Sequence, residues 1–176
     1  MSAGGPRLIT DAIQGPAYRR PTRFFHLEHL RRLRGSEQVA AVCYRVRKSG
    51  VEFLLVETRG GRWTFPKGGA EPGLTHAQAA ALEAFEEAGV HGRIEEAAFA
   101  QYVRLKGAAR IEVVVNVHLC EVLSLDPPQE SGRHPTWFTP EKARKKLRMD
   151  RDAGHGFELE RVFDQALARI RKLHIL

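Results

Sequence analysis

The sequence predicts a mixed α/β fold, in which a mixed β-sheet lies between covering helices. Apolar β-prone runs stand on both sides of one strong helical pattern, turn signals separate these runs, and two more helical patterns close the chain. At 176 residues, 43% hydrophobic and 28% charged, the chain is sized for one domain with a sizeable core. Those proportions exclude a low-complexity polymer.

Residues 1–37 are predicted to form a basic N-terminal arm. The arm carries seven Lys and Arg residues against three Asp and Glu residues, in a chain whose net charge is +7. Basic termini favour an anionic partner, although solvated helices that only keep the protein soluble explain the charge equally well. A short amphipathic helix ending at Gly35 is predicted from the apolar residues Phe24, Phe25, Leu27, Leu30 and Leu33.

The domain itself is predicted over residues 38–176, and it opens with strands. The turn Lys48–Gly50 joins two β-prone runs as a hairpin, and a short strand at Arg62–Phe65 stops at Pro66. A glycine-rich loop is predicted next, at Lys67–Gly73.

A strong helix is predicted over Thr75–Ala88, because Gly89 stands in the usual position after a helix end. Two further β-prone runs are predicted at Arg93–Lys106 and Arg110–Leu123, and a short strand at Trp137–Phe138. A helix is predicted to open at Thr139–Glu141, and a final amphipathic helix at Phe157–Leu173.

The two cysteines, Cys43 and Cys120, lie in apolar strand-like runs without metal-ligand spacing, so we expect reduced thiols in the core of a cytoplasmic protein. The longest nearly uncharged apolar stretch, Val113–Cys120, is far shorter than the roughly 20 residues that span a bilayer. We therefore expect no membrane partner.

The predicted helix carries three glutamates, Glu83, Glu86 and Glu87, at spacings that place them on one face. They lie near its C-terminal end, where the helix dipole disfavours anions. Hard oxygen ligands in such a cluster suit Mg²⁺ or Mn²⁺. For the helix alone, a solvated acidic face is the preferred explanation.

The glycine-rich loop before the helix favours the metal-site interpretation. Gly68 and Gly69 allow the main chain to approach a ligand or metal closely. Lys67, at the entrance of the loop, can neutralise a phosphate oxygen as a flexible point charge.

The segment Gly68–Val90 resembles the signature motif of the Nudix hydrolases, in which fixed spacings join a glycine, an Arg-Glu pair, a Glu-Glu pair and a closing glycine. In this sequence these positions hold Gly68, Leu82-Glu83, Glu86-Glu87 and Gly89. The resemblance covers about residues 38–147. It implies an α/β/α sandwich and the hydrolysis of a diphosphate linkage with the help of Mg²⁺ or Mn²⁺.

The resemblance also implies a set of site residues. The metal-binding candidates are Gly68, Glu83, Glu86 and Glu87, and the candidates for the catalytic base are Glu86, Glu87 and Glu130. The predicted substrate-binding residues, which are basic, are Lys67, Arg62, Arg59, Arg104 and Arg133.

Two positions depart from the family motif, because Leu74 replaces its first glutamate and Leu82 replaces its arginine. In the family that arginine helps to orient the carboxylates, so its loss predicts reduced activity. A hydrogen bond to a charged partner typically contributes about 1.5–3 kcal/mol.

The lead-in to the motif resembles family members that act on dinucleoside polyphosphates or diphosphoinositol polyphosphates, so the predicted substrate is a phosphorylated small molecule. Trp63 and Tyr102 are candidates for stacking a base, with packing preferred for Trp63. One alternative is a non-catalytic domain that binds a nucleotide or phosphorylated metabolite. Another is an RNA-associated protein that uses the arm arginines, although no nucleic-acid motif accompanies them. A homodimer paired through the arm is a further expectation, since many members pair.

Overall fold

The computed structural model describes residues 37–174, and within them eight strands form one sheet with three helices packed on it. The strands are β1 (Glu37–Arg47), β2 (Gly50–Glu57), β3 (Trp63–Thr64), β4 (Lys67–Gly69), β5 (Val90–Ile94), β6 (Ala100–Lys106), β7 (Ile111–Leu125) and β8 (Thr136–Phe138). The helices are α1 (His76–Ala88), α2 (Pro140–Arg148) and α3 (Ala153–His174). The predicted helix, arginine cluster and dimer contact of the arm lie outside the described residues.

The sheet is mixed, as the sequence predicts. Its centre is a parallel pair, β1 and β7, in register from Glu37 beside Val114 to Tyr44 beside Glu121. The other pairings are antiparallel, with β2 and β4 on β1, β3 and β8 on β2, and β5 and β6 on β7. This arrangement confirms the predicted fold class.

Helices cover both faces of the sheet. On one face α1 packs through alanines, and the small side chains bring its backbone close to β1 and β4. On the other face the larger side chains of α3 fill the core, with the rings of Phe53 and Phe163 4.5 Å apart. The α/β/α sandwich is therefore present, and the alanine-lined contact is the one that positions the acidic helix.

Two predicted boundaries are wrong in the middle of the chain. The predicted loop begins with a strand, because Gly68 and Gly69 of β4 pair with Val39 and Gln38 of β1. The predicted β-prone run Arg93–Lys106 is two strands, β5 and β6, which pair in succession with β7.

The final helix begins at Ala153 rather than at Phe157. Asp152 caps it, since its carboxylate accepts a hydrogen bond from the backbone N–H of His155 at 2.9 Å. Gly154 and Gly156 weaken the helical pattern in the sequence, but the cap and the buried position of Gly156 hold this first turn.

The predicted burial of the two cysteines is confirmed. Cys43 and Cys120 are buried free thiols. Asn116 and His118 are hydrogen-bonded sheet residues: the Asn116 amide donates to Glu37 at 2.8 Å, and a His118 ring nitrogen lies 3.0 Å from the Glu95 carbonyl oxygen. Within residues 37–174, no helix is both long and apolar enough to cross a membrane.

Candidate active site

Both ends of α1 are fixed. At its start the Thr75 hydroxyl accepts a hydrogen bond from the Gln78 N–H, and the Gln78 side chain accepts one from the Thr75 N–H. At its end Gly89 adopts a left-handed conformation with φ of 67°, and a Cβ there would lie 1.8 Å from the carbonyl oxygen of Asp126. The face of α1 that carries the glutamates is thereby held toward β4.

Glu83 lies directly over Gly68. A Cβ at position 68 would stand 1.8 Å from a carboxylate oxygen of Glu83, so any larger residue there would displace the Glu83 carboxylate. Burial, and then the neighbouring carboxylates of Glu87 and Glu86, raise the pKa of Glu83 to about 7.

Glu87 is the most enclosed carboxylate of the site, with only 2% of its surface exposed. One oxygen accepts a hydrogen bond from the Lys67 N–H at 3.2 Å, and the other lies 2.7 Å from a guanidinium nitrogen of Arg133. Burial raises the pKa of Glu87, although the positive charges of Arg133 and Lys67 act against it.

A loop far along the chain supplies Glu130 and Arg133. The Arg133 guanidinium holds the Glu130 carboxylate at 2.6 and 2.7 Å, and the Glu130 N–H donates to the Glu86 carbonyl oxygen at 2.9 Å. The Arg133 carbonyl oxygen accepts a hydrogen bond from the Glu57 N–H at 2.6 Å, which ties the loop to β2. The acidic face, defined as Glu83, Glu86, Glu87 and Glu130, is therefore brought together by α1 and this loop.

The acidic face fits a divalent cation by the chemistry of its donors. Among residues 37–174 no three His, Cys, Asp or Glu side chains lie close enough together to hold a metal, and Glu87 pairs with Arg133. Within that part of the chain, however, no cation pairs with Glu83, and carboxylates surround it. Oxygen donors with uncompensated negative charge are the ligands that Mg²⁺ and Mn²⁺ prefer. Glu83 and Glu86 are the candidate ligands most free to take one.

A cavity of about 730 Å³ is lined in part by Lys67, whose backbone N–H binds Glu87 of the acidic face. We call it the basic cavity, because cationic and imidazole side chains dominate its lining: Arg62, Lys67, Arg104, Arg110, Arg151 and His155. Three of the predicted substrate-binding residues are among them. The other two, Arg59 and Arg133, do not line the cavity. The Arg133 guanidinium pairs with the carboxylates of Glu87 and Glu130.

Positive charge in the basic cavity exceeds the negative charge of the two carboxylates in its lining, Asp152 and Glu158. Burial, and then the arginines Arg104 and Arg151, lower the pKa of Lys67 to about 8 against an opposing effect of Glu87. Burial and Arg151 lower the pKa of His155 to about 4, and burial and Arg62 lower that of Arg151. The cavity therefore favours an anionic occupant.

Sequence reasoning missed Arg151 and His155. They enter the cavity at the start of α3, about sixty residues after Val90, where the segment that resembles the family motif ends. The only signal in the sequence is a basic residue before a weak helix start, a pattern too common to indicate a site.

Neither candidate aromatic residue is free to stack a base. The Trp63 ring packs edge-on against Phe138, with centroids 5.0 Å apart, and Tyr102 is only 3% exposed. Apart from His155, Phe157 is the one aromatic residue among the described residues that lines the cavity.

Comparisons with known proteins agree with this geometry. The NUDIX domain family matches residues 36–158. The human diphosphoinositol polyphosphate phosphohydrolase 3-beta is 30% identical over 129 residues, covering 72% of this chain and 77% of the human protein. A Caenorhabditis elegans Ap4A hydrolase shares 26% identity at a TM-score of 0.59, covering 77% of this chain and 98% of that one. A NUDIX hydrolase from Nitrosomonas europaea, 23% identical, has a TM-score of 0.60 and matches 76% of this chain and 89% of its own.

Proposed function

This chain belongs to the Nudix family, and from that premise we propose that it is a divalent-metal-dependent pyrophosphohydrolase acting on a polyphosphorylated small molecule. The observation that carries the proposal is the position of Lys67. Its backbone N–H binds Glu87 on the acidic face, while its side chain lines the basic cavity. A phosphate chain held in the cavity is thereby brought beside the carboxylates.

The residues divide the chemistry between them. Glu83 and Glu86 would hold Mg²⁺ or Mn²⁺, which supplies charge stabilisation and acidifies a bound water when present. A carboxylate must then accept the proton from the attacking water. Glu87 is our first candidate because two donors fix its orientation, and Glu130 is the second because Arg133 holds it beside Glu87. Lys67 and Arg104 would neutralise the phosphate oxygens.

For the substrate we propose a diphosphoinositol polyphosphate ahead of a dinucleoside polyphosphate. The human relative bears the first activity in its name and the C. elegans structure the second. Six cationic or imidazole side chains line the basic cavity, whereas Phe157 is the one benzenoid ring of its lining and neither Trp63 nor Tyr102 reaches it. A substrate whose non-reacting half is itself polyanionic fits this lining better than a nucleoside.

One observation favours a second candidate function, a binding domain with little or no turnover. Arg133 already occupies one oxygen of Glu87, and Leu82 leaves α1 without the arginine of the family motif. Leu74 and Leu82 are 41% and 36% exposed, so neither replaces a lost charge by packing in the core. We therefore propose that turnover is reduced relative to members with the complete motif.

A substrate panel tests the proposal. Purified protein is incubated with diphosphoinositol polyphosphates, dinucleoside polyphosphates and nucleotide sugars, with Mg²⁺ or with EDTA, and products are separated by ion-exchange chromatography. We expect Mg²⁺-dependent cleavage, fastest for the diphosphoinositol compounds. Tight binding of all compounds without product in Mg²⁺ or Mn²⁺ would establish the binding domain instead.

A further inference from the structure

The outer side of α1 carries exposed apolar side chains. Leu82 is 36% exposed, Leu74 just before the helix is 41% exposed, and the Phe85 ring is half-buried. Leu82 and Phe85 are three positions apart, so they are neighbours on the helix surface. We call Leu74, Leu82 and Phe85 the outer apolar face. Within residues 37–174 both leucines of this face stay open to water.

The two leucines stand where the family motif has charged residues. Leu74 replaces a glutamate and Leu82 replaces an arginine, so the net charge of the segment is unchanged while its apolar surface grows. Neither side chain adds to the core, because both point outward. Covering them is favourable, since it removes apolar surface from water. The paired replacement therefore indicates a contact on this side of α1.

The rest of the arm joins the domain at the start of α1. Glu37 is the first described residue, and its carboxylate accepts a hydrogen bond from the Asn116 amide at 2.8 Å. The same carboxylate oxygen lies 3.4 Å from a ring nitrogen of His76, the first residue of α1. The Glu37 carbonyl oxygen accepts a hydrogen bond from the Ala70 N–H at 3.4 Å. Residue 36 is therefore joined to a fixed point beside the first turn of α1.

The sequence of the arm is complementary to this surface. The predicted amphipathic helix that ends at Gly35 has one apolar stripe, formed by Phe24, Phe25, Leu27, Leu30 and Leu33. Arginines interleave with the stripe at Arg31, Arg32 and Arg34. On α1, Glu86 is one turn from Leu82 and Glu83 follows it directly. A second copy of α1 on this face would bring like charges together, whereas the arm brings cations to carboxylates.

We infer that residues 24–34 of the same chain dock on the outer apolar face and run antiparallel to α1. Because Glu37 holds the end of the arm at the start of α1, this direction sets Leu33 toward Leu74 and Leu30 toward Leu82. The contact needs no substrate, metal or turnover, so it stands or falls separately from the proposed function.

The experiment links the two surfaces in the full-length protein with a short bismaleimide, which joins two thiols irreversibly. Leu30→Cys together with Leu82→Cys supplies the thiols, and the native Cys43 and Cys120 are buried away from the reagent. Docking raises the local concentration of one thiol at the other, so we expect within-chain linkage about tenfold faster than in the control pair. Mass spectrometry of tryptic peptides measures the linkage.

The matched control is Leu30→Cys together with Val114→Cys. Val114 is 37% exposed, as Leu82 is within one per cent, and it pairs directly with Glu37 across the sheet. An arm that is not docked therefore meets position 114 at least as easily as position 82. Equal rates for the two pairs, or faster linkage to position 114, overturn the inference. Linkage to position 82 that gives only covalent dimers would overturn it too and assign the face to the arm of a second copy.

Trypsin cleavage gives a second readout that leaves the arm unchanged. The cleavage sites to be followed are Arg31, Arg32 and Arg34. Leu82→Ser removes apolar contact area from the outer apolar face, so we expect cleavage at these sites to accelerate about tenfold as the undocked population grows. Cleavage within residues 38–174 should not change, which separates loss of the contact from unfolding. Leu125→Ser, at a similarly exposed position on β7, is the control and should be cleaved as the parent is. Unchanged cleavage in Leu82→Ser, or equal acceleration in Leu125→Ser, would reject the docked arm.

Discussion

The acidic face and the basic cavity show opposite electrostatic effects with one physical origin. On α1, burial and neighbouring carboxylates raise the pKa of Glu83 to about 7. In the cavity, burial and neighbouring cations lower the pKa of His155 to about 4. In each region like charges have been brought together out of water, which disfavours their ionised forms. Each region therefore gains from a ligand of the opposite charge, a divalent cation in one and a polyanion in the other.

The two regions differ in how far the protein compensates the charge by itself. Arg133 neutralises Glu87 and Glu130 within the acidic face. In the cavity lining, the Nε atoms of Arg104 and Arg151 and Nδ1 of His155 are buried without a hydrogen-bond partner among the described residues. The acidic face is thus partly compensated by a cation of the protein itself, whereas these buried polar atoms have no hydrogen-bond partner among the described residues.

The largest effect is expected for Glu87→Gln, which keeps the size of the side chain but removes its charge. A general base typically contributes about 10²–10⁴-fold to a rate, so we expect kcat to fall by that range. Steady-state hydrolysis of the substrate identified in the panel measures it. Glu96→Gln, at an exposed position outside the acidic face, is the matched control. A kcat within twofold of the parent for Glu87→Gln would reject the assigned role.

A smaller effect is expected for Arg133→Ala, which removes the cation that orients Glu87 and Glu130. Partners that orient metal-binding groups typically contribute about 10- to 100-fold, and we expect kcat to fall by that factor with less change in KM. Leu82→Arg in the same protein should restore part of the loss, because position 82 is one turn from Glu86 on α1. A rise in KM alone would instead support the substrate-binding role that the sequence predicts for Arg133.

How Arg133 is used illustrates the limit of prediction from the sequence. The fold class follows from short-range patterns: hairpin turns, the alternation of strands, and the capped helix of the family motif. The three glutamates follow too, since helical spacing fixes which side chains share a face. The partner of Glu87, however, stands 46 positions further along in a loop, and no local rule links the two.

The cavity shows the same limit. The sequence predicts a substrate-binding role for Lys67, Arg62 and Arg104, because these basic residues lie on or beside strands within the stretch that resembles the family. Arg151 and His155 reach the cavity only because Asp152 starts α3 four residues earlier than its apolar pattern indicates. The burial of Tyr102, which removes this candidate aromatic residue from the cavity lining, is likewise a property of the folded chain.

A third prediction tests the uncompensated charge of the acidic face. Glu83→Gln removes a carboxylate that burial and its neighbours disfavour, so at pH 8 in EDTA we expect this variant to unfold at a higher temperature than the parent. Mg²⁺ should stabilise the parent by about 2.7 kcal/mol at a hundred times its dissociation constant. It should stabilise Glu83→Gln much less. Equal stabilisation of both proteins, measured by calorimetry, would show that Glu83 does not bind the ion.

The smallest predicted effect concerns the pH dependence of stability in the basic cavity. His155 has a pKa of about 4 in the folded protein against an ordinary value of 6.5. Between these values the unfolded chain binds a proton that the folded chain does not. The contribution of His155 to stability is therefore fully present above pH 6.5 and is lost as the pH falls toward 4.

His155→Gln removes this proton uptake and keeps a polar side chain at the start of α3. Chemical denaturation of the ligand-free protein between pH 4 and 7 should show a flatter loss of stability for the variant than for the parent, because Arg151 and Arg104 no longer oppose a charged ring on acidification. His91→Gln, which changes an exposed imidazole beside Asp126, is the control. If the control flattens the curve as much as His155→Gln does, the slope does not originate in the cavity. Since the acidic face contains no histidine, a slope specific to His155 would locate this loss of stability in the basic cavity.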